Sequence, residues 1–131
     1  MDRGGRPMSD QINVVGGPLA LCSADPVTGW TRNGCCETHD GDAGAHTVCV
    51  VMTDEFLAFS RAAGNDLSTP RPEYGFAGLR EGDRWCLCAD RWEEARLNGF
   101  APLVILEATS IATLGHTDLG HLQAHAWEED A

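Results

Sequence analysis

The chain has 131 residues, and all nine of its basic side chains are arginine, so it contains no lysine. That absence excludes an internal Schiff base with pyridoxal phosphate or a carbonyl substrate, and it removes the lysine of a phosphate-gripping P-loop. Twenty acidic residues give a formal charge of −11 and a pI near 4.6. Such a surface repels phosphate backbones, so neither nucleic acid nor an anionic membrane is expected as a partner.

At 43% hydrophobic and 22% charged, the composition is that of a globular protein. The length suits one domain able to bury roughly two thirds of its unfolded surface. No apolar run approaches the ~20 residues that span a bilayer. The first ten residues carry Gly4, Gly5 and Pro7 but no apolar core, so they do not read as a secretory signal. The expectation is a disordered tail over 1–11, a single domain over 12–131 and a cytoplasmic location.

From Asn13 to Gly44 the chain is dense in glycine, proline, threonine and aspartate. Asp25-Pro26 and Asn33-Gly34 mark turns, so this third should be loops and short strands. Residues 46–53 are β-branched and apolar, the pattern of a strand buried on both faces. A helix should follow over 53–64, capped by Thr53, with Asp54 and Glu55 at its positive end and Gly64 as its stop. Phe56, Leu57, Ser60 and Ala63 share one of its faces. Residues 65–82 make a long loop in which Tyr74, Phe76 and Leu79 are expected to pack down.

Next come a strand over 84–89, a short helix capped by Asp90 and ended by Asn98-Gly99, and a strand over 103–109. That unit favours a parallel strand pair with a right-handed crossover. A competing reading extends the helix back to Asp83, with Trp85, Cys88, Ala89 and Trp92 as its buried stripe. A last helix, capped by Thr117 or Asp118, should run to about Trp127. The fold class is α+β: one compact domain with a small mixed sheet and packed helices.

Six cysteines fall short of the ~8–10% that marks a small disulfide scaffold. A reducing cytoplasm would keep most of them as thiols, with Cys22 and Cys49 as buried small hydrophobes. Cys86 and Cys88 would share one face of a strand. Such a pair can hold a soft metal or exchange electrons, or simply pack beside a pocket. Zinc is the metal such thiols would take, with Cys35, Cys86 and Cys88 as candidate ligands and His46 and Cys49 able to complete four.

Glu107 is a carboxylate at the end of a four-residue apolar run, where a charge is costly unless paired. Ligands collect at such strand ends, and Arg84 or Arg91 could pair with Glu107 there. His46 opens the central strand after a loop carrying Asp40 and Asp42, a reasonable acid–base group tuned by a carboxylate. His121 and His125 share a helix face, but no glutamate follows His121 as a zinc peptidase requires. No Gly-x-Ser-x-Gly elbow and no Gly-x-Gly-x-x-Gly turn occurs, which disfavours the usual serine hydrolase and dinucleotide readings.

Several strings recur together: Cys22-Ser-x-Asp-Pro-x-Thr-Gly29, Arg32-Asn-Gly-Cys-Cys36, Asp42-x-Gly-x-His46-Thr-Val-Cys49, Gly64-Asn-Asp-Leu-Ser-Thr-Pro-x-Pro72, Gly82-Asp-Arg-Trp-Cys-Leu-Cys88, Arg91-Trp92 and Leu106-Glu-Ala-Thr109. On these motifs the chain resembles a family of small bacterial proteins known as domain of unknown function 2237, over about residues 13–126. The resemblance implies no activity. It does imply that the cysteines, His46, Asp66, Asp83 to Cys88 and Glu107 belong to a shared pattern. Members generally carry histidine where this chain has Ser110, which would alter the activity if that histidine took part in it.

These readings lead to a small cytoplasmic enzyme acting on a small, anionic molecule in a pocket of Cys, His, Arg, Trp and Glu. His46, Glu107, Cys88 and Asp66 are its candidate catalytic residues. Arg84, Trp85, Arg91, Trp92 and Asp83 are its candidate substrate contacts. The alternative is a thiol-based metal-binding module, or an accessory module docking through the Tyr74–Leu79 loop, without catalysis.

Overall fold

In the computed structural model, which describes residues 10–30, 32–42 and 45–127, the apolar run at 46–53 forms the middle strand, β1 (His46–Val51). Its central four residues are all buried, as a strand covered on both faces requires. Helix α1 (Asp54–Ala62) follows at once. Thr53 caps it by accepting a 3.1 Å bond from the Phe56 amide, and Phe56, Leu57 and Ser60 face inward.

The chain returns through β2 (Arg84–Cys88), runs directly into α2 (Ala89–Leu97) and reaches β3 (Leu103–Val104). Strand order is β2-β1-β3, with both outer strands antiparallel to β1. This corrects the mixed sheet expected from the sequence. β2 and β3 do run in the same direction, but they flank β1 instead of pairing with each other, so α2 crosses over β1. Among the described residues, parallel pairing is confined to two isolated bridges, Cys36 with Thr109 and Val104 with Ala126.

β3 is also shorter than the expected 103–109. After Val104 the chain tightens into a 3-10 helix over Leu106–Ala108. The Thr109 hydroxyl donates to the Ile105 carbonyl and accepts from the Cys49 amide, taking over the ladder bond that a continuing strand would have made. The last helix, α3 (Leu119–Ala124), stops short of Trp127. Beyond it, the His125 carbonyl and the Trp127 amide bond to Val104, so the chain leaves the helix to border β3. The loop at 65–82 packs through Leu79 and through Phe76 against Trp85, whereas Tyr74 stays 79% exposed.

Most of the expected tail, residues 1–9, lies outside the described residues. Gln11, expected in that tail, is instead bonded through both ends of its amide to the Thr38 backbone. No helix among the described residues is long and apolar enough to cross a membrane.

Strand alternation gives the sheet two different faces. Val48, Val50, Trp85 and Leu87 point into a hydrocarbon core with Phe56, Leu57, Trp92 and Leu122. Cys49 and Cys86 belong to a second cluster with Cys22, Cys36, Ile105 and Ala108. Here the thiol expectation is corrected: Cys22 bonds to Cys49 and Cys36 to Cys86, leaving Cys35 and Cys88 free. Cys49 and Cys86 are partners in the strand register, yet each bridges to a loop, so both disulfides tie the 13–44 segment to the sheet.

Candidate functional site

A β-bulge interrupts the pairing of β1 with β2 near His46. The β1–β2 register runs Val48 with Leu87 and then slips, so that His46 instead of Thr47 stands opposite Cys88. Bulges re-aim side chains in this way and are common beside active sites. Ala45, just before it, adopts the left-handed region at φ 51°. Its carbonyl accepts from the amides of both Thr47 and Ala89, fixing the end of each strand at one atom.

His46 is held from the loop side. The Asp42 carboxylate is buried and accepts from the His46 amide at 2.8 Å, while its other oxygen lies 2.7 Å from Nδ1. Asp42 thereby fixes the ring's position and leaves Nε2 as the working nitrogen. Trp30 stacks on the same ring at 5.8 Å between centroids and 15° between planes.

His46 and Cys88 line one cavity of about 380 Å³ at the edge strand β2. Trp30, Arg32, Trp85 and Arg91 complete the walls that carry chemistry. Cys88 occupies the N-cap of α2, so the positive end of that helix faces the cavity. Arg91 is partly satisfied, bonding Glu94 and the Ala63 carbonyl. Arg32 has no carboxylate partner among the described residues. Its guanidinium lies over the Trp85 ring at 5.3 Å, and its backbone is left-handed at φ 59°. Gly29 forms part of the wall with φ 98°, and a Cβ there would stand 2.5 Å from the Cys35 carbonyl oxygen, so only glycine fits.

Of the residues singled out in the sequence, the cavity brings together His46, Cys88, Trp85 and Arg91, with the disulfide-bonded Cys86 also in its wall. The others lie elsewhere. Glu107 is exposed on the 3-10 helix after β3, where its backbone carbonyl accepts from Ala20 and Asn13. Asp66 braces a turn by accepting from the amides and hydroxyls of Ser68 and Thr69. Those bonds, the Thr69 hydroxyl foremost, hold its carboxyl down at about 2. Asp83 accepts from the Arg80 amide in the turn before β2, and Arg84 lies over the Trp127 ring. Trp92 is wholly buried in the core, with its indole N–H donating to the Pro102 carbonyl. Asp90, expected as the cap of α2, sits inside its first turn and contacts His116.

The metal set proposed from spacing is not assembled. Cys86 is consumed in a disulfide, Cys35 is buried with its thiol pushed up by desolvation and by Glu37, and Cys88 faces the cavity. Among the described residues, the three donors close enough to share an ion are Cys22, Cys36 and Cys49, whose sulfurs lie within 4.8 Å of one another.

Sequence reading missed Trp30 and Arg32. The signal for Arg32 was present, since it opens the Arg32-Asn-Gly-Cys-Cys36 string, but nothing in that string says which way a loop arginine turns.

Fold and cavity together define a small α+β domain, crosslinked by two disulfides, with a thiol–imidazole pocket at the edge of its sheet. The chain belongs to a family of uncharacterised proteins conserved in bacteria, domain of unknown function 2237, which matches residues 12–126. No curated protein matches its sequence.

Proposed function

We propose that the chain is a small enzyme acting on a small anionic molecule in this cavity. His46 is the acid–base group, Asp42 orients it, Arg32 and Arg91 hold the anion, and Trp30 and Trp85 form the walls. One observation carries the reading. Of the two non-glycine residues with positive φ among those described, Arg32 lines the cavity and Ala45 directly precedes His46 at the bulge. Such conformations cost about 1–3 kcal/mol each and cluster where function requires them. The two disulfides favour a non-reducing compartment over the cytoplasm expected from the sequence.

Succinate is a suitable probe of the anion site. Titration followed by the NMR signals of the His46 ring should give a saturable shift that Arg32→Ala abolishes without unfolding the protein. No saturable shift, or an equal shift in Arg32→Ala, would remove the reading.

The sulfur cluster favours a second reading, a thiol-based zinc module. Cys22, Cys36 and Cys49 bring three sulfurs from three segments within 4.8 Å of one another, a set that suits a soft ion once reduced. Cobalt added to the dithiol-reduced protein should then give a thiolate charge-transfer band that Cys49→Ser removes. A reduced protein that shows no band counts against it.

A further inference from the structure

We infer that Cys88 is a covalent nucleophile and that the substrate is a short acyl compound, an ester, thioester or amide, carrying a carboxylate. The inference rests on the proposed reading of the cavity and adds the reaction class to it. Three placements support it. The bulge sets His46 across the strand pair from Cys88, and both side chains line the same cavity. Asp42 occupies His46 Nδ1, so Nε2 is the nitrogen left to exchange a proton. Cys88 is the N-cap of the nine-residue α2. The Ala89 amide is taken by the Ala45 carbonyl, and the next first-turn amides, those of Asp90 and Arg91, lack intrahelical acceptors and suit a developing oxyanion. A nucleophile, a base and an orienting carboxylate is the arrangement acyl transfer needs. Arg32, which has no carboxylate partner among the described residues, supplies the countercharge for the substrate's carboxylate.

The steps balance without a redox partner. The Cys88 thiol gives its proton to His46 Nε2 as the Sγ–C bond forms at the acyl carbon. The bond from that carbon to the leaving oxygen, nitrogen or sulfur then breaks, and the leaving group takes the proton from His46. Water, deprotonated by His46, attacks the thioester. The Sγ–C bond breaks, the acid departs, and Cys88 regains its proton.

The probe is the p-nitrophenyl monoester of succinate, followed by nitrophenolate release and intact mass. The expected result is a burst of one equivalent and a hydroxylamine-labile succinyl adduct on Cys88. His46→Gln should slow the burst about a hundredfold, the low end of general-base contributions. Cys88→Ala should abolish the adduct while retaining succinate binding. Absence of a Cys88 adduct in wild type that still binds succinate would overturn the nucleophile and spare the cavity reading. An adduct confined to Cys35 would overturn it as well. Loss of both adduct and succinate binding would overturn both readings.

Discussion

On one face of the sheet Val48, Val50 and Leu87 meet Phe56, Leu57, Trp92 and Leu122, and the contact is hydrocarbon. On the other, Cys49 and Cys86 meet Cys22 and Cys36 beneath Ile105 and Ala108, and much of the contact is sulfur. The difference follows from what covers each face. Helices bring a stripe of large apolar side chains, so burial alone can hold them. The 13–44 segment brings turns and small polar residues, with few large side chains to bury. Covalent bonds take the place of packing there, acting chiefly on the unfolded chain.

The largest effect should come from removing both crosslinks. Their sequence separations are 27 and 50 residues, and loops of that size correspond to about 3.5–4 kcal/mol each in the chain-entropy account. A domain usually has only about 5–15 kcal/mol in all. Replacing Cys22, Cys36, Cys49 and Cys86 by alanine should therefore leave little or no cooperative unfolding transition in urea. A four-alanine variant within about 1 kcal/mol of wild type would show that the loop segment is held by packing after all.

Trp92→Ala tests the opposite face. The indole is fully buried and bonded to the Pro102 carbonyl, so truncation should cost about 3–5 kcal/mol. Combined with loss of the Cys22–Cys49 bridge, the two costs should add to within about 0.5 kcal/mol if the faces are independent. A larger coupling in urea titrations would mean that they form one cooperative structure across the sheet.

The same contrast explains what could be read beforehand. The helical face was legible because period and caps act locally: Thr53 caps α1, and Phe56, Leu57 and Ser60 point inward as their spacing requires. The sulfur face was not. Six cysteines and a composition below that of a disulfide scaffold favoured thiols, and pairing depends on which loop folds over which strand. The site falls between these cases. His46 with a loop aspartate was legible, and Asp42 is the carboxylate that holds it. Glu107 was misleading because a strand was assumed to continue to Thr109, when the Thr109 hydroxyl ends the ladder four residues earlier. Arg32 depends on a loop conformation that no local spacing encodes.

At the junction of the two faces, Asp42→Asn should separate positioning from binding. Without the carboxylate the imidazole loses its fixed tautomer, so the acylation burst should slow by at least about tenfold. Succinate affinity should stay within about twofold, since the arginines are unchanged. A purely structural Asp42 would lower rate and affinity together. Its buried hydrogen bonds would also be weakened, at a cost of about 1–3 kcal/mol in urea unfolding.

The smallest effect concerns acid. Disulfides carry no titrating proton, so the sulfur bridges should contribute no slope to stability between pH 5 and 2. On the helical side, Glu93 is held down at about 2, chiefly by its bond from Arg96 and then by Thr117. An unfolded glutamate titrates near 4.3. A lowered folded value means that the stabilisation is fully present above the unfolded value and is lost as pH falls toward 2. Glu93→Gln should therefore lower stability at pH 7, match wild type near pH 2, and flatten the curve between them. Because the pair is partly solvated, the change should be modest. Asp66→Asn should act in the same direction through the turn at Ser68 and Thr69. If instead the four-alanine variant, where it still folds, loses the acid slope and Glu93→Gln keeps it, the titrating groups sit against the sulfur face, and the two faces do not divide covalent from electrostatic stabilisation.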